Sequence, residues 1–390
     1  MKFSKRLPLA IKQLKDSPIK TAAATAGICF SNVLVFFQLG LLESIYQSQS
    51  RPYSLLDGEI VIVSSRFKRL SQSPTISISE IMRAKGVEGV AKVSTLSIEL
   101  GTVLIKSEGM TTNAQIYGID PLNSALDTEK IGLDLKLVDL YERAAIDTLS
   151  RPSYVRDAKR EMMQKNSYRT NLIDKRILIN STAKIGSTFA SDMSLVMSQN
   201  NLLHYYPKRN QHIANLGVVK LSKNYAKERV KKALSEKLFP NGGTVSAMLI
   251  EEISKTEMNY WSKNTALTFI FGLGVIVGFV VSGIILYQIL YSDVISHLPE
   301  YATLLALGYT NIFVIKIVFT QALILTLMSF PFSILISMGL YSIMMSASNL
   351  LIYMTIGRAI IVASLSIATS MISCYIATNK LREVDPSTLY

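Results

Sequence analysis

Charged residues leave four long gaps in this chain. No Asp, Glu, Lys or Arg lies between Lys20 and Glu43, between Lys263 and Asp293, between Lys316 and Arg358, or between Arg358 and Lys380. A bilayer core about 30 Å thick is crossed by about 20 apolar residues in helical form. The third gap is too long for one span. It divides into a span at 313–343, a short outer loop at 344–354 and the start of a fourth span near Arg358. The pattern predicts transmembrane helices at 21–43, 264–292, 313–343 and 355–378, one near the N-terminus and three together at the C-terminus. Residues 44–263 between them are polar enough to form a separate domain.

Within that domain the periodicity is mixed. Glu59–Val63, Val90–Leu100, Thr112–Ile119, Leu216–Leu221 and Thr244–Ile250 read as strands. Ser77 with Glu80 fits a capping box before a short helix. Leu137–Lys165 has helical propensity, broken by Pro152. Val230, Leu234 and Leu238 mark one face of a helix that Pro240 and Gly242-Gly243 should end, making a β-α-β unit with its flanking strands. Glu251–Lys263 is helical in character and is expected to run unbroken into the second span as a stiff rod.

Charge sets the orientation. The first 20 residues carry Lys2, Lys5, Arg6, Lys12, Lys15 and Lys20 against Asp16. Positive-inside bias keeps this end in the cytoplasm. The apolar run 21–42 exceeds a signal-peptide core of about 7–15 residues and meets no small-residue cleavage site, so it reads as an uncleaved anchor. The 44–263 domain then lies outside the cytoplasm, 293–312 is a cytoplasmic loop and 379–390 a cytoplasmic tail. Cysteines placed at Ser50 and Ser198 should be reachable from outside, and one at Ser387 should not. Residues 1–20 could form a basic amphipathic helix on the inner leaflet, interrupted by Pro8. The outer domain holds 31 Lys and Arg against 22 Asp and Glu, which fits a solvated surface, with anionic lipid headgroups or an acidic partner as the functional alternative.

Chemistry is sparse. Both cysteines, Cys29 and Cys374, fall inside spans, so the outer domain has no disulfide. The sequence has no Gly-Lys dipeptide and hence no Walker A phosphate loop, no His-Glu-x-x-His, no paired-Cys motif and no Gly-x-Ser-x-Gly. His204, His212 and His297 are scattered, so no metal site is expected. The basic run at 223–237 reads as a solvated face, and no nucleic-acid partner, cofactor or catalytic residue is expected. Gly274 and Gly278 form a Gly-x-x-x-Gly pair that would let two helices approach closely, and are expected to pack a dimer. Gln38, Gln288 and Gln321 are candidates for hydrogen bonds between spans.

The cytoplasmic loop carries the sharpest pattern. Pro299 suits a first helical turn, Glu300 favours the positive end of a helix, and Gly308 suits a C-terminal cap, so a two-turn helix is expected between spans two and three. The run Glu300-Tyr301-Ala302-Thr303-Leu304-Leu305-Ala306-Leu307-Gly308 resembles the E-x-x-T-L-x-A-x-G signature of the FtsX-like permeases of ABC systems. Asn259–Lys263, Phe269–Gly274, Tyr287–Val294, Leu39-Gly40 and the tail Lys380–Pro386 are similar to the cyanobacterial DevC branch of that family. The stretch 139–170 resembles nothing in it.

The resemblance implies an α-helical membrane protein with four transmembrane helices in a 1+3 layout. A large extracytoplasmic α/β domain, like the periplasmic core of MacB, is inserted after the first helix. It implies the non-catalytic permease subunit of an exporter of the inner membrane, working by mechanotransmission. ATP hydrolysis would belong to a separate ABC ATPase docked on a coupling helix, with Pro299, Glu300, Tyr301, Thr303, Leu304 and Gly308 as the coupling residues. Further implied partners are a second copy of the chain, a periplasmic membrane-fusion adaptor, an outer-membrane channel reached through it, and membrane lipid. The implied cargo is glycolipid-like or otherwise hydrophobic. Relatives that release lipoproteins, or that regulate a periplasmic enzyme without transport, are the alternatives.

Overall fold

The computed structural model describes residues 7–186, 188, 190–238 and 243–379. The leader before Leu7, the helix stop at Pro240 and Gly242, and the tail from Lys380 lie outside the described residues. The chain divides into a membrane unit (7–43, 266–343 and 352–379) and an outer unit (44–265 and 344–351).

Helix α1 (Leu7–Asp16) precedes α2 (Pro18–Ser50).

The outer unit follows. Its elements, in order, are β1 (Ile60–Ser64), β2 (Ile76–Ser77), α3 (Ile78–Met82), β3 (Val90–Ile105), β4 (Met110–Ile119), α4 (Thr128–Ile131), α5 (Leu135–Asp139), β5 (Arg143–Asp147) and α6 (Pro152–Lys165). Then come β6 (Tyr168–Leu172), β7 (Lys175–Ala183), β8 (Met193–Ser198), α7 (Gln199–Tyr205), β9 (Ile213–Ala214), β10 (Leu216–Leu221), α8 (Lys227–Lys237), β11 (Val245–Leu249) and α9 (Ile250–Asn264). Nine strands share one sheet in the order β11-β1-β10-β3-β4-β8-β5-β7-β6, and β6 also bridges back to β3 at Leu172 and Val103. Six strands therefore curl into a ring, and its β3 edge continues into a flatter sheet.

Strand β1 is buried on both faces. Ile60 and Ile62 join Val230 and Leu234 of α8 in one layer, while Val61 and Val63 join Tyr53, Leu96 and Ile253 in another. Two-sided burial explains why β1 reads as an unbroken apolar run instead of an alternation. The expected β-α-β unit forms as β10-α8-β11, with β1 antiparallel between the two strands.

Three expectations fail here. Ser77 precedes α3, but its side chain makes no capping bond and pairs with the Ser79 hydroxyl instead. Pro152 opens α6 at its first turn, and the preceding stretch 143–147 is strand β5, held by β7 and β8. The rod into the second span is interrupted: α9 stops at Asn264, Thr265 is extended at φ −124° and ψ 153°, and the next helix starts at Leu267.

Helix α9 is fastened by Glu257. Its buried carboxylate accepts from the Tyr53 hydroxyl (2.7 Å), the Leu70 amide (2.7 Å) and the Trp261 indole N–H (2.9 Å). Burial pushes this carboxyl above its ordinary value, against the pull of those three donors. Glu257→Ala leaves three buried donors without an acceptor, at about 1 kcal/mol or more each. The expected result is a loss of about 3 kcal/mol for the outer unit, read as a fall in the urea midpoint of its proteolytic resistance. An unchanged midpoint would remove Glu257 as the fastening of α9.

The membrane unit is completed by α10 (Leu267–Ser296), α11 (Leu298–Ala306), α12 (Asn311–Ser348) and α13 (Ile356–Asn379). α2, α10, α12 and α13 are long and apolar enough to cross a membrane. Between the spans, hydroxyl and small side chains join the apolar contacts of residues such as Ile28, Leu286, Leu290 and Leu325. Thr326 pairs with Ser370 (2.5 Å), Ser366 donates to Asn32 Oδ1 (2.6 Å) and Ser373 donates to the Gly283 carbonyl (2.9 Å). In lipid this is how helices associate, since apolar burial between them gains little.

Candidate functional site

The loop between α10 and α12 forms the nine-residue helix α11, with Pro299 in its first turn. Its end is a Schellman motif. Tyr309 N–H bonds the Leu304 carbonyl (3.1 Å), Gly308 N–H bonds the Leu305 carbonyl (2.9 Å), and Gly308 takes φ +87°. Only glycine adopts that backbone without cost, which is the physical content of Gly308 at this position. Nothing lies within 4 Å of where a Gly308 side chain would begin, so a larger residue meets backbone strain here and no clash.

The six expected coupling residues fall on one short element but not on one face. Pro299, Glu300, Thr303 and Gly308 are exposed, Leu304 is half-buried, and Tyr301 is fully buried. Thr303 bonds the Pro299 carbonyl (2.9 Å) across the first turn. Tyr301 packs inward with Leu290, Val294, Val314 and Val318. Leu307, which the sequence pattern did not single out, is 71% exposed beside the cap.

A second residue missed by the sequence pattern is Gln13 of α1, only 2% exposed. Its Nε2 donates to Glu300 Oε2 (3.1 Å), while its Oε1 accepts from Gln321 Nε2 (3.0 Å) and from the Tyr301 hydroxyl (3.4 Å). Burial pushes the Tyr301 hydroxyl up from its ordinary value. Lys20 Nζ adds a bond to Ser296 Oγ (3.0 Å). Ala10 and Gln13 share the buried face of α1, whereas Lys12 and Lys15 are exposed. Helix α1 is thus packed against protein on its Ala10 and Gln13 side. The signal was available: a glutamine three residues after an alanine on the inner stripe of an amphipathic helix.

At the opposite end of the membrane unit, Glu43 of α2 pairs with Arg358 of α13 (2.5 Å). Arg358 also donates to the Tyr341 hydroxyl (3.0 Å) and the Tyr353 carbonyl (3.1 Å), and Tyr341 in turn donates to the Phe36 carbonyl. The two charges that bound spans one and four in the sequence are each other's partners.

Gly274 and Gly278 do lie at a close helix contact, but within one chain. A side chain begun at Gly274 would meet Gln38 at 2.7 Å, and one at Gly278 would meet Leu34 and Val35 at 2.9 Å, all on α2. α2 of the same chain packs on this face. Gln38 and Gln321 sit in such contacts, Gln38 beside Gly274 and Gln321 on Gln13. Among the described residues no cluster of His, Cys, Asp and Glu is able to hold a metal ion.

These features define a chain with four helices long and apolar enough to cross a membrane, a large α/β unit inserted after the first of them, and a short helix between the second and the third. More particularly, residues 268–386 match the FtsX-like permease C-terminal domain. The chain is similar to the periplasmic region of MacB from Actinobacillus actinomycetemcomitans, at 13% identity over 53% of this chain and 94% of that one, with a TM-score of 0.37. It is also similar to the extracellular domain of the noncanonic ABC-type transporter YknZ from Gram-positive bacteria, at 15% identity over 49% of this chain and 98% of that one, with a TM-score of 0.33. No curated protein sequence matches the chain.

Proposed function

We propose that this chain is the permease subunit of an ABC exporter of the mechanotransmission type. A separate ATPase docks on α11 and drives motion of the outer unit. The observation that carries this reading is α11 itself. It is a short helix joining two spans, opened by Pro299 and closed by a Schellman cap, with Pro299, Thr303 and Leu307 turned outward, inside the segment that matches the FtsX-like permease domain. Such a helix transmits force because its ends are fixed: Tyr301 anchors it inward and Gly308 ends it sharply.

The further partners are a second copy of the chain, an adaptor of the membrane-fusion type and, through it, an outer-membrane channel. With the glycine face occupied, a homodimer would use the exposed stripe Phe269, Leu273, Ile276 and Val280 of α10, the span least covered within the chain. A hydrophobic cargo is supported by a cavity of about 500 Å³ in the outer unit. Tyr53, Leu55, Ile250 and Leu351 line it with Arg51, Lys130 and Glu251, which suits an amphiphile with a polar head. The interruption at Thr265 modifies the lever: motion would pass through a joint there and not along one rigid rod.

The test is site-directed cross-linking from Thr303→Cys to the ATPase that co-purifies, with transport per ATP measured in proteoliposomes. Glu300→Lys and Gly308→Trp are expected to lower that ratio at least tenfold while the protein still folds. Glu300→Lys reverses a charge on the docking surface, and Gly308→Trp forces a left-handed residue at about 1–2 kcal/mol. Full export in both variants would remove α11 as the coupling element.

A further inference from the structure

We propose that Gln13 is a positioning residue of the coupling helix, locking α1, α11 and α12 into one body so that the leader helix forms part of the docking platform. The proposal rests on α11 being the coupling helix, and deepens that reading by adding α1 to the surface the partner meets.

The geometry is specific to an amide. Gln13 lies 287 residues before Glu300 and 308 before Gln321, yet one side chain reaches both. Its Nε2 must donate to a carboxylate while its Oε1 accepts twice, from Tyr301 and Gln321. An aliphatic side chain would satisfy none of the three. A buried polar group with several distant partners fixes one arrangement of the elements it joins, because any other leaves its bonds unmade. One further tie holds α1 at its C-terminal end, the Thr21 hydroxyl donating to the Leu14 carbonyl (2.7 Å), and just beyond it Lys20 of α2 bonds Ser296 of α10. Glu300 is therefore held by Gln13 as well as facing outward, and exposed Lys12 and Lys15 lie on the opposite face of the same short helix. A partner that engages α11 meets a rim with both signs of charge.

The arrangement permits a swap that keeps every bond. In Gln13→Glu with Glu300→Gln, the new carboxylate still accepts from Tyr301 and Gln321, and the amide at position 300 becomes the donor to its second oxygen. Net charge is unchanged. Gln13→Glu alone sets two carboxylates about 3 Å apart, the separation at which like charges cannot both stay ionised.

The experiment is hydrogen–deuterium exchange of the full chain in lipid nanodiscs, for the wild type, Gln13→Glu, Tyr301→Phe and the swap. Gln13→Glu is expected to raise exchange across both 7–16 and 298–307 by roughly tenfold or more, since freeing one element exposes the backbone bonds of both. Tyr301→Phe, which removes one donor, should raise it less, and the swap should restore the wild-type rates. Exchange in 298–307 that does not respond to Gln13→Glu, or a swap that fails to restore it, overturns the lock. In proteoliposomes with the co-purified ATPase, transport per ATP should fall in Gln13→Glu. A ratio unaffected by Gln13→Glu overturns the positioning role. Failure of the wild-type platform to cross-link to any ATPase overturns the permease reading instead, and leaves the exchange result standing by itself.

Discussion

A cysteine at Leu122 is expected to react with a membrane-impermeant maleimide on intact spheroplasts, and a cysteine at Leu307 only after the membrane is opened. Leu122 is 98% exposed in the outer unit and Leu307 is 71% exposed beside α11, so neither label is blocked by packing. The contrast is close to all-or-none, because a charged reagent does not cross hydrocarbon. The native thiols, Cys29 and Cys374, are both buried in spans and give a low background. The orientation follows from the Lys and Arg of the leader and from four crossings, which return the chain to the cytoplasm after α13. The structure changes which sites are informative. Ser198 is fully buried, and its hydroxyl caps α7 by accepting from the Asn201 amide, so a cysteine there would stay silent on either side. Ser387 lies outside the described residues. Labelling of Leu307→Cys in sealed spheroplasts would overturn the four-span topology.

Breaking the Glu43–Arg358 pair is expected to be the most destabilising single change in the membrane unit. Arg358 is only 5% exposed, and Arg358→Ala leaves Glu43, the Tyr341 hydroxyl and the Tyr353 carbonyl without its guanidinium. Removing one partner of a buried pair costs about 3–5 kcal/mol. Glu43 is partly exposed, which places this case near the lower end, at about 3 kcal/mol. The measurement is thermal unfolding in mild detergent. Arg358→Ala should lower the midpoint by several degrees, and Arg358→Lys should recover only part of the loss, since an ammonium lacks the fork that reaches three acceptors. Glu43→Gln should cost less than Arg358→Ala, because its carboxylate is the more hydrated partner. Equal midpoints for wild type and Arg358→Ala would show that the pair adds nothing to the packing of α2 on α13.

Much of this protein was legible in one dimension. The four spans follow from gaps in charge because lipid imposes the same rule on every residue of a crossing helix. Strands β1, β4, β10 and β11 and helix α8 follow from local apolar patterns, as one or both of their faces are buried along most of their length. The helix α11 was readable from Pro299 and Gly308, whose backbone preferences are intrinsic to those residues.

Tertiary structure decided the rest. Arg143–Asp147 is a strand only because β7 and β8 supply its hydrogen bonds, a contact no local propensity encodes. The same residues 274 and 278 would suit a partner chain or a neighbouring helix, and the α2 side chains at their Cα atoms decide for the neighbour. Gln13 reads as an ordinary polar residue of a basic leader until the fold brings Glu300, Tyr301 and Gln321 to it. Glu43 and Arg358 likewise read as span boundaries, and become a pair only through packing of the first span on the last. Composition fixes what each residue must avoid in lipid or water. Which polar groups satisfy one another, across some 300 residues of chain, is settled only by how the helices pack.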